Sequence, residues 1–301
     1  MTTRINRWYL TLEEAKRSDL FRLKDVTEEN DRVKSAIRQA SQMIEKALDT
    51  WFYPVTATRY FDHPPIDPAV LLLDQWLLSV TGFTTENGDD DVESTDYFPV
   101  HTFHNQKHQS PYRCILMNPD GDYPELEWSE TKIKANAITG AWGHSDFTAL
   151  TGATVLNDPL AADGTSLTVL TGKLETGWMG LIEDEQVFVS SITTGDPNDT
   201  VTIVRAQDGT TAAEHDAATA ISRYVPPDDI ELLCGILTAR LFNRRTSAWS
   251  DIIGTKESAQ SFIKSMPEEA RYILEMYLGE TSEGASRFVP WGQELVGGRI
   301  Y

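Results

Sequence analysis

The chain has 301 residues, of which 26 are Lys or Arg and 46 are Asp or Glu, so its formal net charge is −20. This length allows two compact domains, each with its own core. The acidic balance argues against binding to the outside of duplex DNA, because such binding depends on Lys and Arg side chains that neutralise phosphates.

The N-terminal region predicts a short helix followed by a long one. Thr11 and Glu14 have the spacing of a capping box, and LEEAKRSDLF follows. A long amphipathic helix is expected from Thr27, its predicted N-cap, to Trp51, because apolar residues recur at three- and four-residue spacing. Pro54 would end this helix.

The segment up to residue 150 contains strand-like sequences rich in β-branched and aromatic residues. The clearest are VTATRYFD, AVLLLDQWLLSVTGFTT and KIKANAITGAWG. Asn87-Gly88 is a hairpin-turn signal. The Pro- and His-containing stretch from Tyr97 to Tyr123 predicts a long exposed loop.

Residues 151–226 predict a small β domain. Turn signals such as Asp163-Gly164, Gly195-Asp196-Pro197-Asn198 and Asp208-Gly209 recur at short intervals and predict about five or six short strands. This segment has 3 basic and 11 acidic residues, a net charge of −8. A β domain inserted between helices that pack together is more typical of an interaction protein than of an enzyme.

The C-terminal region predicts two helices and a tail. One helix runs from Asp228, a possible cap, to Ala248, and EEARYILEMYL forms the last helix, which Gly279 would end. Residues 279–301 contain five glycines and no helical period. Aromatic residues on such a tail are expected to dock onto a partner.

The predicted fold class is therefore α+β. Residues 1–150 and 227–278 would form a discontinuous helical-bundle domain with four main helices and a few strands. An all-β domain at 151–226 would interrupt it, and 279–301 would be an extended tail. The N-terminus lacks the apolar segment of a signal peptide, and no apolar run approaches the roughly 18 residues of a membrane span. We therefore expect a soluble protein without membrane contact.

Three histidines, His101, His104 and His108, have a spacing that could bind zinc on one helical face. Pro99 and Pro111 leave barely ten residues for a helix, and no further ligand follows at a suitable spacing, so a polar loop is the favoured interpretation. In a pore-lining loop these imidazoles would titrate near neutral pH.

No catalytic, cofactor or metal site is predicted. The acidic run from Glu86 to Asp96 is typical of a solvated loop. The segment from Asn118 to Asp122 resembles a calcium loop, but its glycine is at the fourth position and Ser129, not Glu, is at the twelfth. Phosphate-binding loops, nucleophile elbows and paired-cysteine sites are missing from the sequence.

Cys114 and Cys234 make neither a disulfide framework nor a zinc site, which favours assembly in a reducing cytoplasm.

Arginines near the end of the third long helix have two possible roles. Arg240, Arg244 and Arg245 could complement the helix dipole, which is the more conservative interpretation. Alternatively, they could contact a neighbouring subunit, a partner or DNA. The tryptophans Trp51, Trp76 and Trp128 are expected in the core.

Several blocks of the sequence resemble the phage head–tail connector family, the adaptors bound beneath the portal ring. The first block comprises YLTLEEAKR, IRQASQMIEKALDTWFYP and TRYFD. The middle block comprises LLLDQWLLSVTGFTTENG, DYF and KIKANAITGAWGHS, and the last comprises IIGTKES and MPEEARYILEMYL. These blocks lie within residues 9–148 and 228–278. The insert departs from compact family members, and its IEDEQVFVSSI and VRAQDGTTAAEH resemble small β modules of various phage virion proteins.

The resemblance implies a structural protein in the virion neck, assembled in the host cytoplasm. It implies a twelve-fold homo-oligomeric ring that joins the portal protein to a tail or stopper protein and lets DNA pass without sequence-specific binding. The tail would dock into the portal through Arg287, Phe288, Trp291, Leu295 and Tyr301. The alternatives are a tail-completion or neck protein on the tail side, and a carbohydrate-binding or hydrolytic virion component that acts through the β domain.

Overall fold

The computed structural model describes residues 7–17, 29–64, 67–85, 90–101, 110–126, 133–155, 159–246, 252–253, 261–262 and 267–281. These residues form four α-helices and two six-stranded antiparallel sheets. The expectation of a helical bundle with a small β insert is therefore wrong, because strands dominate the described residues. The chain divides into two compact units: Asp49–Pro227 with Arg7, and Trp8–Leu48 with the residues from Asp228 onward.

The helical unit begins with α1, Leu12–Arg17. The expected capping box is present. The Glu14 N–H donates to Thr11 Oγ1, and the Thr11 N–H donates to Glu14 Oε2, both at 2.9 Å. Two backbone donors that have no partner within the helix are therefore satisfied.

The other helices of this unit are α2 (Asn30–Leu48), α3 (Asp228–Thr246) and α4 (Glu268–Thr281). α2 packs against α3, and Ser41 Oγ lies 3.5 Å from Cys234 Sγ in their buried contact. α2 ends before Trp51, and α4 continues through Gly279, so both predicted ends are wrong. The predicted N-cap, Thr27, lies outside the described residues.

The first sheet is built by six strands from the region expected to form most of a helical domain. They are β1 (Val55–Phe61), β2 (Val70–Thr85), β3 (Asp90–Asp91), β4 (Tyr97–Val100), β5 (Tyr112–Met117) and β6 (Asn136–Trp142). Their order is β1-β6-β2-β5-β4, with β3 paired to β2. Because β4 and β5 lie within the stretch predicted as one long loop, that prediction is also wrong. The buried core includes Leu77, Ile115, Ile138 and Trp142.

The second sheet contains β7 (Thr148–Thr154), β8 (Ser166–Leu170), β9 (Met179–Ile182), β10 (Glu185–Thr193), β11 (Asn198–Val204) and β12 (Ala220–Tyr224). Its order is β7-β12-β9-β10-β11-β8. The edge strands β7 and β8 come within 8 Å of each other, Cα to Cα, so the sheet is curled around its core. That core includes Val169, Ile182, Val187 and Val201.

A two-stranded pair, β13 (Ile252–Ile253) and β14 (Ser261–Phe262), lies between α3 and α4 in the chain. Within the described parts of the chain, no helix is both long enough and apolar enough to span a membrane.

Candidate functional site

A compact group of buried and partly buried charged side chains lies at one end of the second sheet. We name it the carboxylate clamp, and it consists of Glu183, Glu185, Arg205 and His215. Glu183 lies in the tight turn between β9 and β10, and Glu185 is the first residue of β10. Arg205 directly follows β11, and His215 forms an isolated backbone bridge with Leu160. The clamp therefore joins segments that are distant in sequence.

Glu185 is almost fully buried, with 1% of its side chain exposed, and both of its oxygens accept hydrogen bonds. Oε1 accepts from Arg205 Nε at 2.7 Å and from the Ala206 N–H at 3.0 Å. Oε2 accepts from Arg205 Nη2 and from the Ala213 N–H, and it lies 2.9 Å from His215 Nε2. Burial alone would raise the pKa of this carboxyl, but the hydrogen bonds lower it from 4.5 to about 2.

Arg205 extends the clamp to a neighbouring loop. Its Nη1 donates to the carbonyls of Ala161 and Gly164 at 2.8 and 3.1 Å, and its Nη2 donates to the Ala213 carbonyl. The guanidinium is thus saturated with acceptors in a nearly buried position. Because Glu185 and Arg205 are closed off by these bonds, the arrangement is suited to holding loops together rather than to reacting with a substrate.

A second buried ion pair joins Arg7 to Asp208. Arg7 Nε and Nη2 both contact Asp208 Oδ1, at 2.9 and 2.6 Å, while Oδ2 is buried and accepts no hydrogen bond from the described residues. Burial raises the pKa of Asp208, although the Arg7 guanidinium acts in the opposite direction. Asp208 also has a left-handed backbone, with φ at 51°. A turn held in this way requires firm support from its surroundings.

This turn lies where the two sheets of the β unit meet. A Cβ atom added to Gly209, whose φ is 85°, would lie 2.0 Å from the Thr56 carbonyl oxygen in β1, so only glycine fits there. Nearby, Gln186 Nε2 donates to the Pro54 carbonyl at 2.9 Å. These contacts fix the second sheet against the beginning of the first.

Aromatic packing adds to the same contact between the sheets. The rings of Tyr53 and Tyr224 lie 6.2 Å apart, centroid to centroid. Burial, with a smaller effect of nearby carboxylates such as Asp146, raises the pKa of Tyr224 to about 12. Tyr224 therefore remains a neutral packing residue at physiological pH.

Only one of the three histidines proposed for the loop lies within the described residues. His101 Nδ1 lies 2.7 Å from the Pro111 carbonyl oxygen, and its ring stacks 5.1 Å from Trp76. His104 and His108 lie outside the described residues. Among the residues that are described, no three or more His, Cys, Asp or Glu side chains form a group able to hold a metal ion.

Hydrogen bonds connect the end of the acidic run to the calcium-like segment. Asp96, at the end of the acidic run, is buried. Its Oδ1 accepts from the Asp122 N–H at 3.0 Å, and its carbonyl accepts from the Asn118 N–H at 2.7 Å. Asp96 therefore holds the Asn118–Asp122 turn through hydrogen bonds, which accounts for the clustering of polar residues there.

The predicted partner-binding residues are mostly beyond what the structure describes. Arg240 lies in α3 and is half-buried. Arg244 and Arg245 belong to the last turns of α3, but their side chains are outside the described set. The tail residues Arg287, Phe288, Trp291, Leu295 and Tyr301 also lie outside it.

The helical unit has exposed apolar residues on α4. Tyr272 and Met276 are one helical turn apart and are 65% and 49% exposed. Residues spaced in this way share one face of a helix.

Cys234 is completely buried in α3, and burial raises the pKa of its thiol to about 11. The reactive thiolate is therefore disfavoured.

The clamp was not found from the sequence, although one signal was present. Residues 151–226 contain only three basic residues, Lys173, Arg205 and Arg223. Arg205 immediately follows the alternating strand DTVTIV, and Glu185 begins the apolar run EQVFV. A charge next to a buried strand requires a partner. The sequence alone does not indicate which of the eleven Asp and Glu side chains in residues 151–226 pairs with Arg205.

No family model matches the chain, and no curated protein matches it.

Proposed function

We propose that this protein is a structural adaptor of the virion neck, which forms a ring beneath the portal and joins it to a tail or stopper protein. In this proposal the ring surrounds part of the DNA conduit, and the protein performs no chemistry of its own. The proposal rests on the order of the sequence blocks that resemble the connector family, together with the physical features of the two units.

The observation that carries the proposal is that the helical unit combines helices from both ends of the described chain. α2 lies in the first of the resembling blocks and α3 in the last, and the two helices pack together although the segment from 49 to 227 separates them in sequence. Helices that pack together across so long an intervening segment are consistent with a helical core that serves assembly.

The properties of the β unit support a passive role. Its buried charges are neutralised by fixed partners, as in the bonds from Arg205 to Glu185 and from Arg7 to Asp208. A net charge of −20 per copy would be multiplied around a ring. Because DNA is also negatively charged, such a conduit would repel it and favour sliding over adhesion.

Docking to the portal is assigned in this proposal to the segment after α4. It contains Phe288, Trp291 and Tyr301, and α4 itself carries the exposed pair Tyr272 and Met276. Aromatic residues dominate the energetics of many protein interfaces.

Assembly is tested with the full-length protein and the portal protein of the same phage. Native mass spectrometry and electron microscopy of the mixture are expected to show a ring of this chain bound to the portal. A protein that remains monomeric and does not associate with the portal at micromolar concentrations would refute the adaptor function.

Docking through the tail is tested by deleting residues 282–301, which leaves α4 intact. We expect a loss of portal binding of at least about a hundredfold, since hot-spot aromatics contribute more than about 2 kcal/mol each. The double substitution Phe288→Ala and Trp291→Ala should give most of this loss. Phe147→Ala, at an aromatic of the β unit that is 65% exposed, is the matched control and should leave binding unchanged. Unchanged binding of the truncated protein would exclude the tail as the docking segment.

A further inference from the structure

His215 lies between two carboxylates, and its two ring nitrogens each face one of them. Nδ1 is 2.7 Å from Glu183 Oε2, and Nε2 is 2.9 Å from Glu185 Oε2. A neutral imidazole has one N–H donor and one acceptor, whereas the imidazolium donates from both nitrogens. With both carboxylates ionised, a neutral ring would therefore direct a lone pair at one of the two carboxylate oxygens. Between two ionised carboxylates, only the charged ring satisfies both contacts.

We propose that His215 is a proton-dependent fastener of the second sheet. In its charged form the ring binds Glu183 and Glu185 together and holds the segment after β11 against the β9–β10 turn. When the proton leaves, one of the two hydrogen bonds becomes a repulsive contact and the segment loosens. This device belongs to the β unit itself and does not depend on the adaptor function.

Charged groups reach this ring from two sides. Glu183 and Glu185 face it from the β9–β10 turn, and Arg205, from the end of β11, shares Glu185 Oε2 with it. The nearby carboxylates of Asp184, Glu214 and Asp216 belong to exposed residues. The ring itself is 1% exposed, so water cannot readily replace a lost partner.

The fastener also controls the backbone bridge at the same position. The His215 N–H donates to the Leu160 carbonyl at 3.0 Å, and the Leu160 N–H donates to the His215 carbonyl at 2.8 Å. A shift of the ring away from Glu183 would strain this bridge. The amide hydrogens of Leu160 and His215 therefore report on the fastener.

The test measures hydrogen-exchange protection factors of these two amides in the full-length protein. Protection factors remove the intrinsic pH dependence of exchange. Between about pH 5.5 and a pH at which the ring ¹⁵N chemical shifts report the neutral ring, they should fall roughly ten- to a hundredfold, as expected for losing a hydrogen bond to a charged group. The ring ¹⁵N chemical shifts should report the imidazolium at the lower pH.

Two variants that each remove one negative charge distinguish the hydrogen bond to His215 from a general effect of net charge. In Glu183→Gln the amide can donate to or accept from a neutral ring, so the fall in protection should disappear. In Asp184→Asn, the neighbouring exposed residue loses its charge and the fall should persist. Equal behaviour of the two variants would overturn the proposal, and so would a neutral ring at the lower pH. Glu183 is 60% exposed, so neither change is expected to prevent folding.

Discussion

Replacing Arg205 with methionine provides the sharpest test of how the carboxylate clamp stabilises the β unit. The change leaves Glu185 charged and almost completely buried, and it removes the donor from the carbonyls of Ala161, Gly164 and Ala213. Breaking a buried ion pair in this way costs about 3–5 kcal/mol. The pKa of Glu185, lowered from 4.5 to about 2, corresponds to roughly 3 kcal/mol for burial and all of its hydrogen bonds together, of which the bonds from Arg205 are one part.

The loss of stability predicted for Arg205→Met depends on pH in a definite direction. The pKa of Glu185 is lowered in the folded protein, so its contribution is present above 4.5 and is lost as the pH falls towards 2. The difference in the free energy of unfolding between the wild type and Arg205→Met should be full at neutral pH and should shrink below about pH 4.5. Urea unfolding, followed by hydrogen-exchange mass spectrometry of residues 179–224, measures it.

A second substitution distinguishes a broken pair from a general packing loss. Adding Glu185→Gln to Arg205→Met removes the buried charge, so the double variant should be more stable than the single one at neutral pH. Asp74→Asn is the control, since the carboxylate paired with Arg59 is 67% exposed and should contribute less than about 1 kcal/mol. A loss below about 1 kcal/mol in Arg205→Met, or no recovery in the double variant, would refute the reasoning.

Three further predictions concern other parts of the fold. Gly140→Ala should lower the free energy of unfolding, measured by thermal unfolding, by at least about 2 kcal/mol, because its Cβ would lie 2.0 Å from the Ser79 carbonyl oxygen. Gly82→Ala, in the neighbouring strand, is the control and should be nearly neutral. Equal losses in the two variants would contradict this prediction. The pKa of Asp208 is raised, so its contribution to the free energy of unfolding should fall as the pH rises above 3.8, and Asp208→Asn should remove this dependence; an unaltered pH profile would count against it. The Cys234 thiol, whose pKa is raised to about 11, should not react with a thiol reagent at about pH 8 until the protein is unfolded, and rapid labelling of the native protein would disprove this.

The sequence predicted those elements whose signals are local. The periodic apolar residues of α2 and α3 and the capping box at Thr11 depend on neighbours within one or two turns. The turn signals after residue 151 likewise match the six short strands of the second sheet. In each case the deciding residues are close together in the chain.

The first sheet was underestimated although β1 and β6 alternate cleanly, because β2, its longest strand, does not. In β2 the four consecutive residues 75–78 are all buried, and the register with its neighbours shifts around Leu77 and Ser79. Such bulges break the period of two that identifies a strand. The strong helical periodicity on either side of this region then suggested a helical domain with a few strands.

The charged contacts could not be predicted because their partners are distant in sequence. Arg7 and Asp208 are 201 positions apart, and Glu185 lies 30 residues from His215. Asp208-Gly209 has the composition of an ordinary exposed turn, yet Asp208 is buried. Composition shows that charges exist, whereas only the folded arrangement shows which charges are buried together.

The pairing of α2 with α3 has a consequence during synthesis on the ribosome. The segment from 49 to 227, which is 179 residues long, must be translated before α3 emerges. At about 5–20 residues per second this delay is roughly 10–40 seconds. Throughout that time the apolar stripe of α2, with Val33, Ile37 and Ile44, has no α3 to cover it. α2 can therefore reach its final packing only after α3 has left the ribosome.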